Sequence, residues 1–409
     1  MLILPRQEFG LGFDEEQNRM NNIRIDNRKI NDYLFYIFAS FVFLKPAGID
    51  TNGYHTINFA INLATMALIL VLFVKQGHIL KQGISLFLLA EIAFFLVWVF
   101  CLRINGNSVS GVVKLMINAV GIELLAEYTI RKGKLRTMIN CFSIMYIVLL
   151  AVNLYLMIKN HGWDYGWNNA MYTSVSYLES DNGTNGYIMG SLLFALLFTR
   201  LKKKKITLVL AAVIVLCVLN EFRIWSASSV IGIILFLLYF LIGQSCRSLK
   251  QIALQGAIML NIGVTFFRIQ ELFSFFFIKF LNKDATMTGR TNLWDRGIRA
   301  FMGSPIWGVG EVPYQLDNIL IQPLTQGGLL LITAFILMIF AACRKTSHID
   351  FNKNILYKDA FFVFCIVIIL SIAEAWMNFK GFWIILSLFV NLKYEPETFS
   401  AGQRGYKKV

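Results

Sequence analysis

The sequence predicts an all-α polytopic membrane protein of about twelve transmembrane helices, with one large extracytoplasmic loop that carries a short amphipathic helix. Three observations predict it. Apolar runs near twenty residues recur along a 409-residue chain that is 57% hydrophobic and 15% charged, with a mean hydropathy of +0.61. Runs of that length match a bilayer core of about 30 Å. Basic clusters occupy every second loop, and one long polar segment, from Arg268 to Asn318, interrupts the apolar pattern. No polar block is long enough for a large soluble domain.

The expected spans are 32–48, 56–74, 84–102, 108–129, 138–158, 184–200, 206–222, 227–243, 251–267, 319–342, 357–377 and 380–392. A tail (1–31) precedes nine spans (32–267), the polar loop fills 268–318, three spans fill 319–392, and a second tail ends the chain (393–409). The polar, mixed-charge start lacks the n-, h- and c-region order of a signal peptide, so no cleaved leader is expected. Met20 opens the cleaner N-terminal sequence MNNIRIDNRKIN and is an alternative start.

The net charge is +14, but its location excludes a nucleic-acid reading. Most of it lies in short loops: KQGHILK from Lys75, RKGKLR from Arg131, RLKKKK from Arg200, CRSLK from Cys246 and RKTSH from Arg344. These share one side with both tails, which the positive-inside rule makes cytoplasmic. Segments 159–183 and 268–318 then face outward, and both are rich in aromatic residues. The cysteines (Cys101, Cys141, Cys217, Cys246, Cys343, Cys365) stand singly, without metal-ligand spacing, so neither a disulfide frame nor a zinc site is expected. No repeat or symmetry relates the two halves, which weighs against a transporter.

Within the long loop, TNLWDRGIRAFMG forms an amphipathic helix with Leu293, Trp294, Ile298, Phe301 and Met302 toward one face. Such a helix can lie in the membrane interface. Gly303, Ser304 and Pro305 end it, and Gly308 and Gly310 make a turn where backbone can approach a ligand closely. The order TGRTNLW, SPIWGVG, DN and a span containing QGGLL, over residues 286–332, resembles the signature block of the O-antigen ligase/polymerase family. That block reads S/T-G-R, Trp, P-x-x-G-x-G, H/D-N, then a late G-L. An upstream Ser-Arg pair of the family has a looser counterpart in FRIWSASSVIG, where Arg223 precedes Ser228 and Ser229. The family's ligase branch has a histidine where this chain has Asp317, which points to the polymerase branch.

The resemblance implies an undecaprenyl-diphosphate-linked oligosaccharide as substrate, at the outer face of the bacterial cytoplasmic membrane, with membrane lipid as the surrounding partner. It implies transfer of the growing glycan to a sugar hydroxyl of the next lipid-linked repeat, with inversion and without metal or other cofactor. A chain-length regulator as partner is left open. The alternatives are a ligase that moves glycan to another acceptor, and a flippase or transporter of lipid-linked oligosaccharide.

Such chemistry needs cations at a departing diphosphate and a base for the attacking hydroxyl. Arg290 follows Gly289 in the motif and is the candidate catalytic cation; its bland alternative is a headgroup anchor. Arg223, Arg296 and Arg299 are candidate substrate-binding residues, and each can equally anchor or solvate a helix. Arg103 and Arg268 read as anchors. Asp317 is the candidate base, though its place before Ile319 also suits a helix cap and the helix dipole would weaken it as a base. Asn318 can orient a sugar hydroxyl or share that cap. Glu91, Lys114, Glu123, Glu127 and Glu374 fall inside expected spans, where charge is a functional hypothesis by default; a structural pairing of Glu123 and Glu127 with Lys114, or a polar cavity lining, is the alternative. Trp163, Tyr165, Trp167 and Tyr172, beside Asp164, can stack on sugars or anchor at the interface.

Overall fold

The computed structural model describes residues 29–46, 55–75, 85–160, 183–224, 226–242, 250–273, 289–314, 316–346 and 354–392, with short pieces at 163–164, 174–175, 177–178 and 349. The architecture is all-helical. In chain order the helices are α1 (29–43), α2 (His55–Lys75), α3 (Leu86–Ile104), α4 (Ser110–Arg131), α5 (Leu135–Asn160), α6 (Thr184–Leu201), α7 (Leu208–Ile224), α8 (Ala227–Ile242), α9 (Lys250–Phe267), α10 (Arg290–Gly303), α11 (Ile321–Thr346), α12 (Ile355–Leu370) and α13 (Lys380–Asn391). A two-residue antiparallel pairing joins Trp163–Asp164 to Ser174–Val175.

Each expected span overlaps one of these helices. Among the described residues, three stretches, Leu86–Ile104, Leu135–Lys159 and Ile321–Thr346, are long and apolar enough to cross a membrane; five others are apolar but shorter. The outward faces are apolar too: Leu63, Leu70, Leu96, Ile144, Leu241 and Phe340 are all exposed. Helices apolar on every side suit a lipid surround.

The centre of the bundle is α6, α12 and α13. Every residue from Gly381 to Asn391 of α13 is buried, as is Thr184–Leu197 of α6. The two helices cross at Gly186 and Gly381, where a Cβ on Gly381 would lie 2.5 Å from the Gly186 carbonyl oxygen. Small residues at a crossing let helix backbones approach, which is how apolar helices gain packing contact when lipid is the competitor. Phe94 and Phe95 of α3 pack on Trp383 of α13, and Phe94 also packs on Phe335 of α11, binding these helices into one core.

Local sequence sets several ends. Ser85 caps α3, accepting from Leu88 N at 3.1 Å, and Asn354 caps α12, accepting from Tyr357 N at 2.9 Å. The helix within the expected span 357–377 is shorter than its apolar run: α12 stops at Leu370, and an irregular stretch reaches a 3-10 turn at Trp376–Asn378. Neighbours take the backbone groups there. Asn261 Nδ2 donates to Ile368 O, Asn318 Nδ2 donates to Ile372 O, and Ile319 N donates to Ser371 O. Non-helical backbone deep in an apolar bundle persists only with such partners. Glu374 therefore lies in this irregular stretch and not within a helix.

Candidate functional site

One end of the bundle gathers the motif residues. Gly289, at φ +82°, turns the chain into α10, so Arg290 occupies the first helical position. Helix α10 docks through Thr291, Trp294 and Gly297, and a Cβ on Gly297 would lie 2.7 Å from Ile321 and 2.8 Å from Thr325. Trp294 packs with Val264, Leu316, Ile321 and Ile372. The helix thus rests on protein along this face. Met302, which the sequence pattern places on the apolar face, is instead exposed, because the docked face follows the small residue Gly297.

Arg290 sits between two acids. Its Nε lies 3.6 Å from Asp317 Oδ2 and its Nη2 donates to Glu374 Oε1 at 3.2 Å. Both acids are nearly inaccessible, whereas the Arg290 side chain keeps 21% of its surface exposed. Glu374 Oε1 also accepts from Ser228 Oγ at 2.9 Å, and Ser228 accepts from Asn185 Nδ2 at 2.7 Å. Ser226, 3.2 Å from Ser228, donates its backbone N–H to Glu221. The upstream FRIWSASS motif and the loop motif therefore meet through Glu374. In the sequence, Glu374 is one intramembrane charge among five, marked only as an acid inside an apolar run, and nothing marks Asn185.

Asp317 and Asn318 divide between them the tasks that the sequence leaves open. Asn318 is fully buried and caps α11, with Oδ1 accepting from Leu320 N at 2.8 Å and Ile321 N at 3.0 Å. Its Nδ2 donates to Thr265 Oγ1 and Ile372 O, both at 2.9 Å. The cap belongs to Asn318, so Asp317 is left to face Arg290. An amide with all these bonds inside the protein positions the acid beside it.

Gly308 packs closely on protein backbone, and Gly310 on the side chains of Asn105 and Asn107. Helix α11 breaks at Gly328 (φ 61°, ψ −154°), and residues 305–310 lie along the break. Val309 N donates to Thr325 O, Gly310 N to Gln326 O, Leu329 N to Pro305 O, and Leu330 N to Ile306 O. A Cβ on Gly308 would come within 2.5 Å of the Thr325 carbonyl oxygen, and one on Gly328 within 2.5 Å of the Ile306 carbonyl oxygen. The P-x-x-G-x-G and QGG motifs are the two halves of one clasp, and the clasp holds the loop against the helix that Asn318 caps.

Of the other cations, Arg296 and Arg299 are exposed on α10. Arg268 is engaged by Asp295, with Glu271 and the Thr291 carbonyl also in reach. That bond to Asp295 raises the Arg268 pKa further, so it stays charged at any working pH. Arg223 lies in the last turn of α7, with its side chain outside the described residues. The sequence also offers Trp163, Asp164, Tyr165, Trp167 and Tyr172 as glycan contacts; their side chains lie outside the described residues too.

Two neighbouring cavities open at this end. The larger, about 440 Å³, is lined by Lys45, Lys114, Lys380, Trp98, Glu311, Gln322, Gln326 and Asn378 among others. The smaller, about 260 Å³, shares Glu311, Gln322, Gln326 and Asn378 and reaches Leu316 and Ala375, the chain neighbours of Asp317 and Glu374. Lys114 lines the larger cavity and does not partner Glu123. Glu123 instead meets Lys345 at 3.5 Å and Asn391 Nδ2 at 2.8 Å, at the opposite end of the bundle. Glu127 pairs with Arg131 at 2.6 Å, and Glu91 is fully buried near Glu123 with neither carboxylate oxygen hydrogen-bonded. Among the described residues, no group of three or more His, Cys, Asp or Glu is placed to hold a metal ion. No protein-family model matches this chain, and no curated protein sequence matches it.

Proposed function

We propose that this chain is a multi-pass glycosyl transferase of the bacterial cytoplasmic membrane, with both termini cytoplasmic, that joins undecaprenyl-diphosphate-linked repeat units on the outer face. The observation that carries the reading is Arg290 held between Asp317 and Glu374, whose chain neighbours Leu316 and Ala375 line a nearby cavity. That cavity lies at the bundle end opposite the basic loops 131–136 and 200–205, the end that the positive-inside rule turns outward. The resemblance of TGRTNLW, SPIWGVG and DN to the ligase/polymerase block supports it independently.

The chemistry follows from these groups. The acceptor hydroxyl attacks the anomeric carbon of the donor, the bond from that carbon to the diphosphate oxygen breaks, and the diphosphate leaves with the electron pair. Asp317 takes the hydroxyl proton. Arg290 meets the developing charge with its planar fork, and Arg223, Arg296 and Arg299 are the further cations available. At 3.6 Å the Arg290–Asp317 contact is long enough to yield. A diphosphate that engages Arg290 weakens this pairing and frees Asp317 as base, while Glu374 and Ser228 keep the arginine in place.

A flippase is the second reading, because the break in α11 is similar to the interrupted helices of transporters. The four backbone hydrogen bonds between residues 305–310 and the break occupy groups that it would otherwise offer to a substrate or ion, which favours the transferase. The test is purified protein in liposomes supplied with a lipid-linked repeat unit. A ladder of polymers, persisting in excess EDTA, is expected. Movement of the lipid across the bilayer without any ladder would overturn the transferase in favour of the flippase.

A further inference from the structure

The larger cavity carries an inference about the substrate that rests on the transferase reading and deepens it. Three lysines from different elements converge there: Lys45 just after α1, Lys114 in the first turns of α4, and Lys380 at the start of α13. Glu311 is the single acid among the lining residues. Lysines far apart in sequence that meet at one cavity are held there by the fold and not by a local basic run. The Lys380 ammonium donates to the Lys45 carbonyl at 3.0 Å, which fixes it at the wall. Lys114 lines the cavity and is exposed.

The rest of the lining mixes amides, Asn62, Asn118, Gln322, Gln326 and Asn378, with apolar side chains such as Val42, Ile61 and Leu115. Several are already oriented. Gln322 and Asn378 exchange hydrogen bonds at 3.1 and 3.2 Å, and Trp98 Nε1 donates to Gln326 Oε1 at 3.1 Å. An amide both donates and accepts, as a sugar hydroxyl does. A volume of about 440 Å³ is within the usual range for ligand sites, about 300–1,000 Å³.

We propose that this cavity is a subsite for an anionic carbohydrate: the amides read its hydroxyls and Lys45, Lys114 and Lys380 meet its negative group. The glycan handled by this chain then carries acidic sugars. The lipid-borne diphosphate is the other source of negative charge at this end. The division of cations assigns it elsewhere, since the arginine fork suited to phosphate stands at Asp317 and Glu374 and the lysines stand around the amides.

Isothermal titration of the full chain in phosphatidylcholine nanodiscs, which supply no anionic headgroup, tests the assignment. The probes are an oligogalacturonate, a neutral oligosaccharide of equal length and inorganic pyrophosphate. The acidic oligosaccharide is expected to bind, to weaken as salt rises, and to lose about tenfold in affinity in Lys114→Gln and in Lys380→Gln, each checked for an unchanged melting temperature. The neutral one is expected to bind far more weakly. Pyrophosphate binding that depends on the same lysines, without binding of the oligogalacturonate, overturns the acidic-sugar assignment and gives the cavity to the diphosphate. Equal binding of acidic and neutral probes, binding indifferent to both lysines, or no binding at all also overturns it. The two readings fail separately: a chain that binds the acidic probe through Lys114 yet forms no polymer from a lipid-linked donor refutes the transferase and leaves this site standing.

Discussion

Arg290 donates to Glu374 at 3.2 Å across 84 residues of chain, joining the first turn of α10 to the irregular stretch after α12. Glu374 also takes the Ser228 hydroxyl, so one buried carboxylate links the loop motif, the upstream serine motif and the stretch between the last two helices. Arg290 is thus both a structural tie and the candidate reacting cation, and the two roles separate in variants.

Arg290→Ala is expected to abolish polymer and to lower stability by about 2 kcal/mol, since a charged hydrogen bond is lost from a partly exposed group. Adding Glu374→Gln removes the stranded charge and recovers part of the melting temperature, but no polymer. Arg290→Lys keeps a positive charge without the fork and is expected to recover stability more than activity. Thermal unfolding in detergent and polymer yield per folded protein measure both; wild-type polymer from Arg290→Ala would remove it from the reaction.

Asp317→Asn and Asn318→Ala should fail in different ways. The Asp317 variant stays near its original shape and loses the proton acceptor, a contribution of about 10²–10⁴ in rate. Asn318→Ala loses a helix cap, about 1 kcal/mol, and takes the side-chain donor from the buried Ile372 carbonyl, about 1–3 kcal/mol more. The first is expected to yield folded, inactive protein and the second less folded protein. Polymer from Asp317→Asn within a few-fold of wild type would show that another group takes the proton.

The clasp at the break of α11 predicts a ranking among glycines. Gly308→Ala and Gly328→Ala combine a strained positive φ with a Cβ driven to 2.5 Å from backbone, for a cost of about 2–6 kcal/mol. Gly106 also has a positive φ, of +73°, but nothing lies within 4 Å of a Cβ there, so Gly106→Ala should cost only about 1–2 kcal/mol. Equal melting temperatures for the three variants would show that the clasp does not hold the loop.

At the opposite end, Lys345 is the cation beside Glu123 and near Glu91. Lys345→Met leaves buried acid without it and is expected to cost about 3–5 kcal/mol. The double variant Lys345→Met with Glu123→Gln should recover much of that loss, as coupled neighbours do. Additive losses in this double-mutant cycle would show that the 3.5 Å contact contributes little.

Much of the fold is legible locally. Apolar run length and loop charge depend on residues near one another, so they mark each expected span and the amphipathic helix at Arg290–Gly303. The motif block also draws attention to Arg290 and Asp317 together, which the structure brings to 3.6 Å. Other relationships have no local trace. Helix α12 ends early at Leu370 because Asn261, Asn318 and Ile319 reach the carbonyls around its end from other elements. The role of cap goes to Asn318 because its side chain, and not that of Asp317, turns back to the first free N–H groups of α11.

The sequence by itself determined that the chain is helical and apolar, where its basic loops fall, and which short motifs carry charge and glycine, because period, length and composition are properties of neighbouring residues. Only the tertiary structure decided which charges meet. It gave Arg290 to Glu374, Lys345 to Glu123, and Lys45, Lys114 and Lys380 to one cavity. A buried charge is stable only beside a partner, and the packing of α6, α11, α12 and α13 against one another sets which partner lies within reach.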